Sequence, residues 1–401
     1  MAQKLSISDL NLHNKKVLMR VDFNVPLDDS HQITDDTRIS ASLPSIRHIL
    51  KNGGSVILMS HLGRPNGEVN PEFSLKPCAA RLSILLDHPI MMAPDCIGPD
   101  VERLVSQLKP GQVLLLENLR FHKGEEKPEK DPSFAKSLAS LGDLYINDAF
   151  GTAHRAHAST AAIAQYFPGK AAAGFLLQKE IEFIGHTLEN PKRPFQAIIG
   201  GAKISTKLGV IRSLLKKVDT LLIGGGMSFT FFKAQGYAIG NSIHEDEMLN
   251  EAKSILESVK GQPNRLILPV DIVIANAIKE DAETRIIDPT KGIPEGFEGV
   301  DIGPETIRQF SSHLQKAGTV IWNGPLGVFE VPKFAAGTRA IANTVANIQA
   351  TTIVGGGDSI AALQQMGLAD SISHLSTGGG ATLEYIEFGK LPGIESLSDK
   401  K

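Results

Sequence analysis

Short, nearly uninterrupted apolar runs recur along the chain at 17–22, 55–60, 113–117, 144–148, 196–200, 219–224, 265–270, 319–322, 351–355 and 373–377. Alternation disappears when neither face of a strand meets water, so runs of this kind predict parallel strands covered on both sides. Between them lie stretches with apolar residues at helical spacing, among them 42–51, 101–108, 132–141, 206–217 and 245–259. Strand and helix patterns alternate throughout, which predicts an α/β fold with parallel sheets.

The residues that follow the runs change character halfway along. In the first half they carry charge and imidazole: Asp22 and Asn24 after VLMRV, His61 and Arg64 after SVILMS, Arg120 after VLLLEN, His154 and Arg155 after LYIND. In the second half they are mostly glycine: Gly200 and Gly201 with Lys203, Gly224 to Gly226, Gly355 to Gly357 with Asp358, and Gly378 to Gly380. Ligands of open α/β sheets bind at the carboxyl ends of the strands. One crevice lined by Arg and His and another lined by Gly predict two different anionic ligands on one protein.

A length of 401 residues predicts two domains of about 200 residues each. The boundary falls at 171–190, where Leu177, Ile181, Ile184 and Leu188 share one helical face before Pro191 and Pro194. An ordinary crossover helix fits this periodicity as well as a connector does. The change of tip chemistry on either side favours the connector. The tail from Leu391 is polar and without pattern, which reads as a mobile end.

Composition narrows the function. At 42% hydrophobic and 21% charged the chain is an ordinary globular one, and a formal net charge of −3 argues against a nucleic-acid or membrane-surface role. Cys78 and Cys96 lack metal-site spacing and are too few for a disulfide framework, so half-buried reduced thiols are expected. No basic n-region precedes an apolar segment at the N-terminus, and no apolar stretch approaches a bilayer span. A cytoplasmic location is the simplest expectation.

Arg38, Arg64, Arg120 and Arg155 stand near four different strand ends, with His61, His154 and His157 beside them. The planar guanidinium fork matches phosphate or carboxylate, so several of them converging suit one small, highly anionic molecule. Asp22 and Asn24 precede Pro26 and suit either turn chemistry or contacts to a substrate hydroxyl and oxyanion. His154 and His157 invite a metal reading, but no third partner is spaced for it, and oxyanion binding is preferred.

In the second half, Lys203 and Lys207 lie four apart in a Gly-rich strand-to-helix turn, where backbone N–H groups and the helix dipole attract a polyphosphate. Asp358 follows three glycines and is a hard oxygen ligand suited to phosphate-bound Mg²⁺. Walker A, dinucleotide-fingerprint, zinc-protease and nucleophile-elbow motifs are absent, as is an obvious nucleophile–base pair. That combination fits direct transfer between two bound ligands.

The ordered motifs VDFNVP, HLGRP, ENLRF, AFGTAHRAHAS, GGAKISTK, GGGMSFTF, WNGPLGVFE, GGGDS and STGGGA, running nearly end to end, resemble the phosphoglycerate kinase family. The resemblance implies two Rossmann-like lobes, each a parallel sheet flanked by helices, joined by a connecting helix and hinge. On that basis 1–170 is a 3-phosphoglycerate domain, 171–190 the interdomain helix and 191–385 a nucleotide domain. The tail 386–401 returns to the first domain.

The implied reaction is reversible phosphoryl transfer between 1,3-bisphosphoglycerate and MgADP, giving 3-phosphoglycerate and MgATP, in line and after domain closure. The resemblance further implies that Asp22, Phe23, Asn24, His61, Leu62, Gly63, Arg64, Arg120 and Arg155 hold the acid, with Arg38 near the transferred group. Lys203 and Lys207 meet the nucleotide phosphates and the moving phosphoryl, assisted by Gly356 and Gly357. Gly201, Gly225 and Gly226 line the adenine pocket, Asn323 and Ser359 the phosphates, Glu330 the ribose, and Asp358 holds Mg²⁺. The expected partners are these substrates and ADP or ATP, with no nucleic acid and no membrane, on a monomer. Another small-carboxylate kinase and a bilobal anion-binding protein are the alternatives.

Overall fold

The computed structural model describes residues 3–262 and 265–400. The chain divides into two compact units, Met1–Glu182 with Lys390–Lys401, and Phe183–Gly389.

The first unit is built on six strands: β1 (Lys16–Arg20), β2 (Ser55–Met59), β3 (Ile90–Met92), β4 (Val113–Leu115), β5 (Leu144–Asn147) and β6 (Ala171–Ala173). Their spatial order is β3-β4-β2-β1-β5-β6, with every pairing parallel. Parallel pairing explains the unbroken apolar runs, because helices cover both faces and strands such as β2 are buried at every position. The helix Thr37–Lys51 turns Ile39, Leu43, Ile46 and Ile49 inward onto Val17, Met19, Val56 and Leu58. Each such side chain contributes roughly 1.5–3 kcal/mol through burial. Parallel strands also put their carboxyl ends along one edge, so the segments after β1, β2, β4 and β5 are neighbours there.

The second unit repeats the plan with β7 (Phe195–Ile199), β8 (Thr220–Ile223), β9 (Leu266–Ile267), β13 (Thr319–Asn323), β14 (Thr351–Gly355) and β15 (His374–Ser376). Their order is β15-β14-β13-β7-β8-β9, again all parallel. Trp322, Phe310, Leu314, Ile341 and Val354 centre its main core. Between β9 and β13 the chain adds a small antiparallel sheet, β10 (Ile272–Ala275), β11 (Thr284–Ile287) and β12 (Glu298–Ile302), ordered β11-β10-β12.

Several expectations need correction. Ala171–Ala173, placed at the start of the connecting helix, is instead the edge strand β6. Helix begins at Phe175–Glu180, passes through a π-helical turn at Ile181–His186 and finishes at Thr187–Glu189. The apolar run at 265–270 yields only the two strand residues of β9, since Pro269 cannot supply a ladder N–H. Both thiols are fully rather than half buried, and burial pushes that of Cys78 up to about 12.

The tail is not the loose end its polarity suggests. Leu391, Ile394 and Leu397 are buried, at an i, i+3, i+6 spacing. The Ser398 N–H donates to the Ala171 carbonyl (3.0 Å) and the Leu5 N–H donates to the Ser398 carbonyl (2.8 Å). Lys400 pairs with Asp9 at 2.7 Å. Among the described residues no helix is long and apolar enough to cross a membrane.

Candidate functional site

At the carboxyl edge of the first sheet, the loops after β1, β2 and β4 fasten one another. The Phe23 N–H donates to Ser60 Oγ (2.8 Å), and its ring is fully buried, which anchors the loop carrying Asp22 and Asn24. Asn24 Oδ1 accepts from the Gly63 N–H (2.9 Å), so two strand tips share a bond. Gly63 needs its missing Cβ, because φ is +62° and a methyl there would lie 2.3 Å from the Phe73 ring. Leu62 is buried beside it.

Arg38, in the first turn of Thr37–Lys51, donates to the Asn24 carbonyl (2.8 Å) and lies 3.3 Å from the Asp22 carboxylate. Arg120 sits in a single 3₁₀ turn, Leu119–Phe121, that Asn118 caps by accepting the Arg120 N–H (3.0 Å). Asn118 in turn donates to the Leu62 carbonyl (2.7 Å), tying this turn to the β2 loop. Arg120 Nη1 donates to the Gly63 carbonyl (2.8 Å), and Nε lies 3.2 Å from Glu126. Its Nη2 is buried with no protein acceptor, as expected of a group that meets a ligand.

His61 is buried, with Nδ1 3.2 Å from Arg20 Nη2. A guanidinium only donates, so Nδ1 accepts and the ring is the neutral tautomer with its proton on Nε2. Burial holds its pKa well below the ordinary value, and the charges of Arg20, Arg120, Arg155 and Arg38 press it further down. Burial and Arg120, Arg155 and Arg20 likewise take His157 to about 3. His154 is depressed by burial and Arg155, whose Nε donates to its Nε2 at 3.2 Å. The imidazoles are therefore neutral hydrogen-bonding groups, and the positive charge belongs to four arginines. Such a concentration of like charge is costly until an anion offsets it.

Of the residues expected here, Arg38, His61, Arg120 and Arg155 share one electrostatic neighbourhood. Arg64 is exposed. Sequence reasoning missed Arg20 and Glu125. Arg20 is 1% exposed and donates through Nε to Ser159 Oγ (2.8 Å), which donates to buried Glu125 (2.6 Å). A charge inside the apolar run VLMRV was the available signal for Arg20. Glu125 lies in a polar stretch and had none.

In the second unit the glycine turns after β7, β8 and β13 interlock through backbone. The Gly201 N–H donates to the Pro325 carbonyl (2.8 Å), the Gly225 N–H to the Leu326 carbonyl (3.1 Å) and the Met227 N–H to the Gly201 carbonyl (3.0 Å). At Gly225 φ is +67° and a Cβ would lie 2.6 Å from the Gly201 nitrogen. These turns therefore present a side-chain-free surface. Gly226 opens the helix Met227–Ala234 beside it.

Lys207 Nζ donates to the Gly200 carbonyl (2.6 Å) and the Asn323 carbonyl (3.3 Å). Burial lowers its pKa to about 8, with Asp358 acting in the opposite sense. Lys203 is exposed, as are Glu330 and Asp358. Asn323 Nδ2 is buried without a partner. The helix Gly357–Gln365 begins after Gly356, whose φ is +92°, and Ser359 Oγ accepts the Gly324 N–H (2.8 Å). Free first-turn N–H groups, a helix dipole and Lys207 make this end attractive to phosphate. An exposed carboxylate there fits a phosphate-borne Mg²⁺, which takes few protein ligands and keeps several waters.

A family model described as phosphoglycerate kinase matches residues 7–390. The cytosolic phosphoglycerate kinase of Triticum aestivum is 55% identical over the whole of both chains. The phosphoglycerate kinase of Moorella thermoacetica is 54% identical over 99% of this chain and 100% of its own. The solved phosphoglycerate kinase of Coxiella burnetii superposes with a TM-score of 0.87 at 43% identity, covering 98% of each chain.

Proposed function

The chain belongs to the phosphoglycerate kinase family, and from that membership we propose how its residues carry the family's glycolytic phosphotransfer. The reaction moves a phosphoryl group reversibly between 1,3-bisphosphoglycerate and MgADP, giving 3-phosphoglycerate and MgATP.

The observation that carries the assignment of ligands is the four-arginine cluster around neutral His61. A phosphorylated three-carbon acid offers phosphate and carboxylate charge at both ends, which suits several guanidinium forks at once. Arg120 and Arg155 bind that charge, while buried Arg20 fixes His61 and Ser159 behind them. His61, Asp22 and Asn24, with the Gly63 backbone, orient it, and Phe23 and Leu62 hold the loops in place. Arg64 closes over the ligand from its exposed position. Arg38, already fixed by Asp22 and Asn24, supplies charge to the equatorial oxygens of the moving group.

In the second unit, the surface at Gly201, Gly225 and Gly226 accepts the flat adenine, and Glu330 the ribose hydroxyls. Lys203, Lys207, Asn323, Ser359 and the N–H groups at Gly356 and Gly357 bind the phosphates. Asp358 holds the nucleotide's Mg²⁺, which when bound neutralises phosphate charge. Transfer brings acid and nucleotide together, so the units close during turnover, with the π-helical turn Ile181–His186 as the hinge. Each unit carries ligands for one substrate, which supports a monomer. Fully buried free thiols and the cytosolic wheat relative support a cytoplasmic enzyme.

The test is a coupled assay with 3-phosphoglycerate and MgATP. Turnover is expected, and its absence alongside turnover of a different carboxylic acid would overturn the reading.

A further inference from the structure

Asp95, Cys96 and His122, none of them assigned above, each place one ligand atom so that the three lie within 4.8 Å of one another. Among the described residues no other set of three His, Cys, Asp or Glu side chains is grouped in this way. We infer that Asp95, Cys96 and His122 form a binding site for a borderline-soft divalent cation of the zinc class.

Donor chemistry selects the metal. One carboxylate oxygen, one sulfur and one imidazole nitrogen make a mixed set that suits Zn²⁺, or Co²⁺ and Cd²⁺ in its place, and not the all-oxygen shells of Mg²⁺ or Ca²⁺. Three protein ligands leave a fourth position for water. The site has both a way in and a floor. The Asp95 and His122 side chains are 44% and 29% exposed, while Cys96 is fully buried.

The ligands are held before any metal arrives. The His122 ring stacks on Phe134, with centroids 5.2 Å apart and planes 24° from parallel. The Cys96 N–H donates to Asp95 Oδ1 (2.6 Å), which also lies 2.7 Å from His122 Nε2. That last contact is the ordinary alternative, a carboxylate–imidazole pair with a buried thiol nearby. In that arrangement the Cys96 thiol also hydrogen-bonds to the Asp95 carboxylate, so metal uptake itself decides between the two readings. Cys96 lies in the negative field of both Asp95 and Glu125, on top of its burial, which opposes a thiolate in the metal-free protein. The same field favours a cation.

Binding exchanges protons in a defined way. The Cys96 thiol loses its proton to water and coordinates as thiolate. His122, whose Nε2–H donates to the Asp95 carboxylate in the metal-free protein, gives that proton to water and takes one at Nδ1, which frees the Nε2 lone pair. Asp95 turns an oxygen from the imidazole to the metal.

The experiment is a competition titration of the purified full-length protein with zinc against a chromophoric chelator, repeated with Co²⁺ by absorption. The expected result is one tight equivalent and a cobalt spectrum with thiolate charge transfer and tetrahedral intensity. Cys96→Ser, His122→Gln and Asp95→Asn should each weaken zinc by at least about 100-fold, the upper end of what losing a supporting partner costs. Zinc should raise the melting temperature of the wild type and not of the variants. Circular dichroism of each variant checks that it is folded. If the wild type does not take up zinc, if folded variants bind it as tightly, or if the cobalt complex lacks the thiolate band, the site does not exist.

Discussion

Arg38 satisfies two acceptors, the Asn24 carbonyl and the Asp22 carboxylate, so its guanidinium is positioned before a substrate arrives. A positioned charge acts on the transition state without a reorganisation cost. Arg38→Ala is therefore expected to lower kcat by roughly 10³-fold or more, in the range seen for charges that stabilise transferred phosphoryl groups. Affinity for MgADP, measured by calorimetry, should stay within about twofold of wild type. An equal loss of nucleotide binding would remove Arg38 from this role. Lys207 gives a pH test. With a pKa near 8 it is charged below that pH and neutral above it. ADP affinity should fall as pH rises from 7 to 9, and Lys207→Arg, which keeps its charge, should flatten the profile. The arginines at the strand tips were legible because charge after an apolar run is conspicuous. Arg20 was not, because it lies inside such a run. The depressed imidazoles were beyond sequence altogether, since their state depends on burial and on cations brought in from other strands.

Individual elements carry their own tests. Gly225→Ala places a methyl against the backbone of Gly201 and Pro325 at a positive φ, costing about 1–3 kcal/mol in strain. Nucleotide binding should be lost while 3-phosphoglycerate binding in the first unit persists, which calorimetry with each ligand separates. At the start of the helix Phe175–Glu180, Asp148 Oδ1 accepts the Leu177 N–H (3.1 Å), and burial raises its pKa to about 7. The unfolded chain ionises near 3.8 and the folded one near 7, so this group's stabilisation is full below pH 3.8 and is lost as pH climbs to 7. Asp148→Asn, which cannot ionise, should be more stable than wild type at pH 8 by roughly 1–3 kcal/mol and show a flatter pH profile in urea unfolding. The long parallel strands were legible for one physical reason: burial on both faces leaves few polar positions. The same logic hid the rest. Ala171–Ala173 has the composition of a helix and becomes a strand through pairing with β5, a tertiary effect. In the sheet β10–β12, the run IVIA of β10 was legible but not singled out, whereas β11 and β12 are interrupted by polar residues and partly exposed and form no such run.

For the molecule as a whole, the assigned residues include no nucleophile with a base beside it, which favours transfer from one bound ligand to the other. Initial-rate plots varying both substrates should intersect, and ADP–ATP exchange without the acid should be absent. Parallel lines with exchange would require a phosphorylated enzyme.

The residues 390–400 belong to the first unit although 207 residues of the second, Phe183–Gly389, intervene in the chain. On the ribosome this reverses the usual order. The second unit is complete as soon as Gly389 has emerged. The first, begun earlier, still lacks the segment that covers Ala171 and Leu5, and at about 5–20 residues per second it waits on the order of ten seconds or more after its own Glu182 has been made. During that interval the β6 edge and the Ala153 carbonyl have no partner from this segment. The nascent chain thus spends much of its synthesis with its older half unfinished, a state that a chaperone, or a release of the chain before residue 390, would encounter.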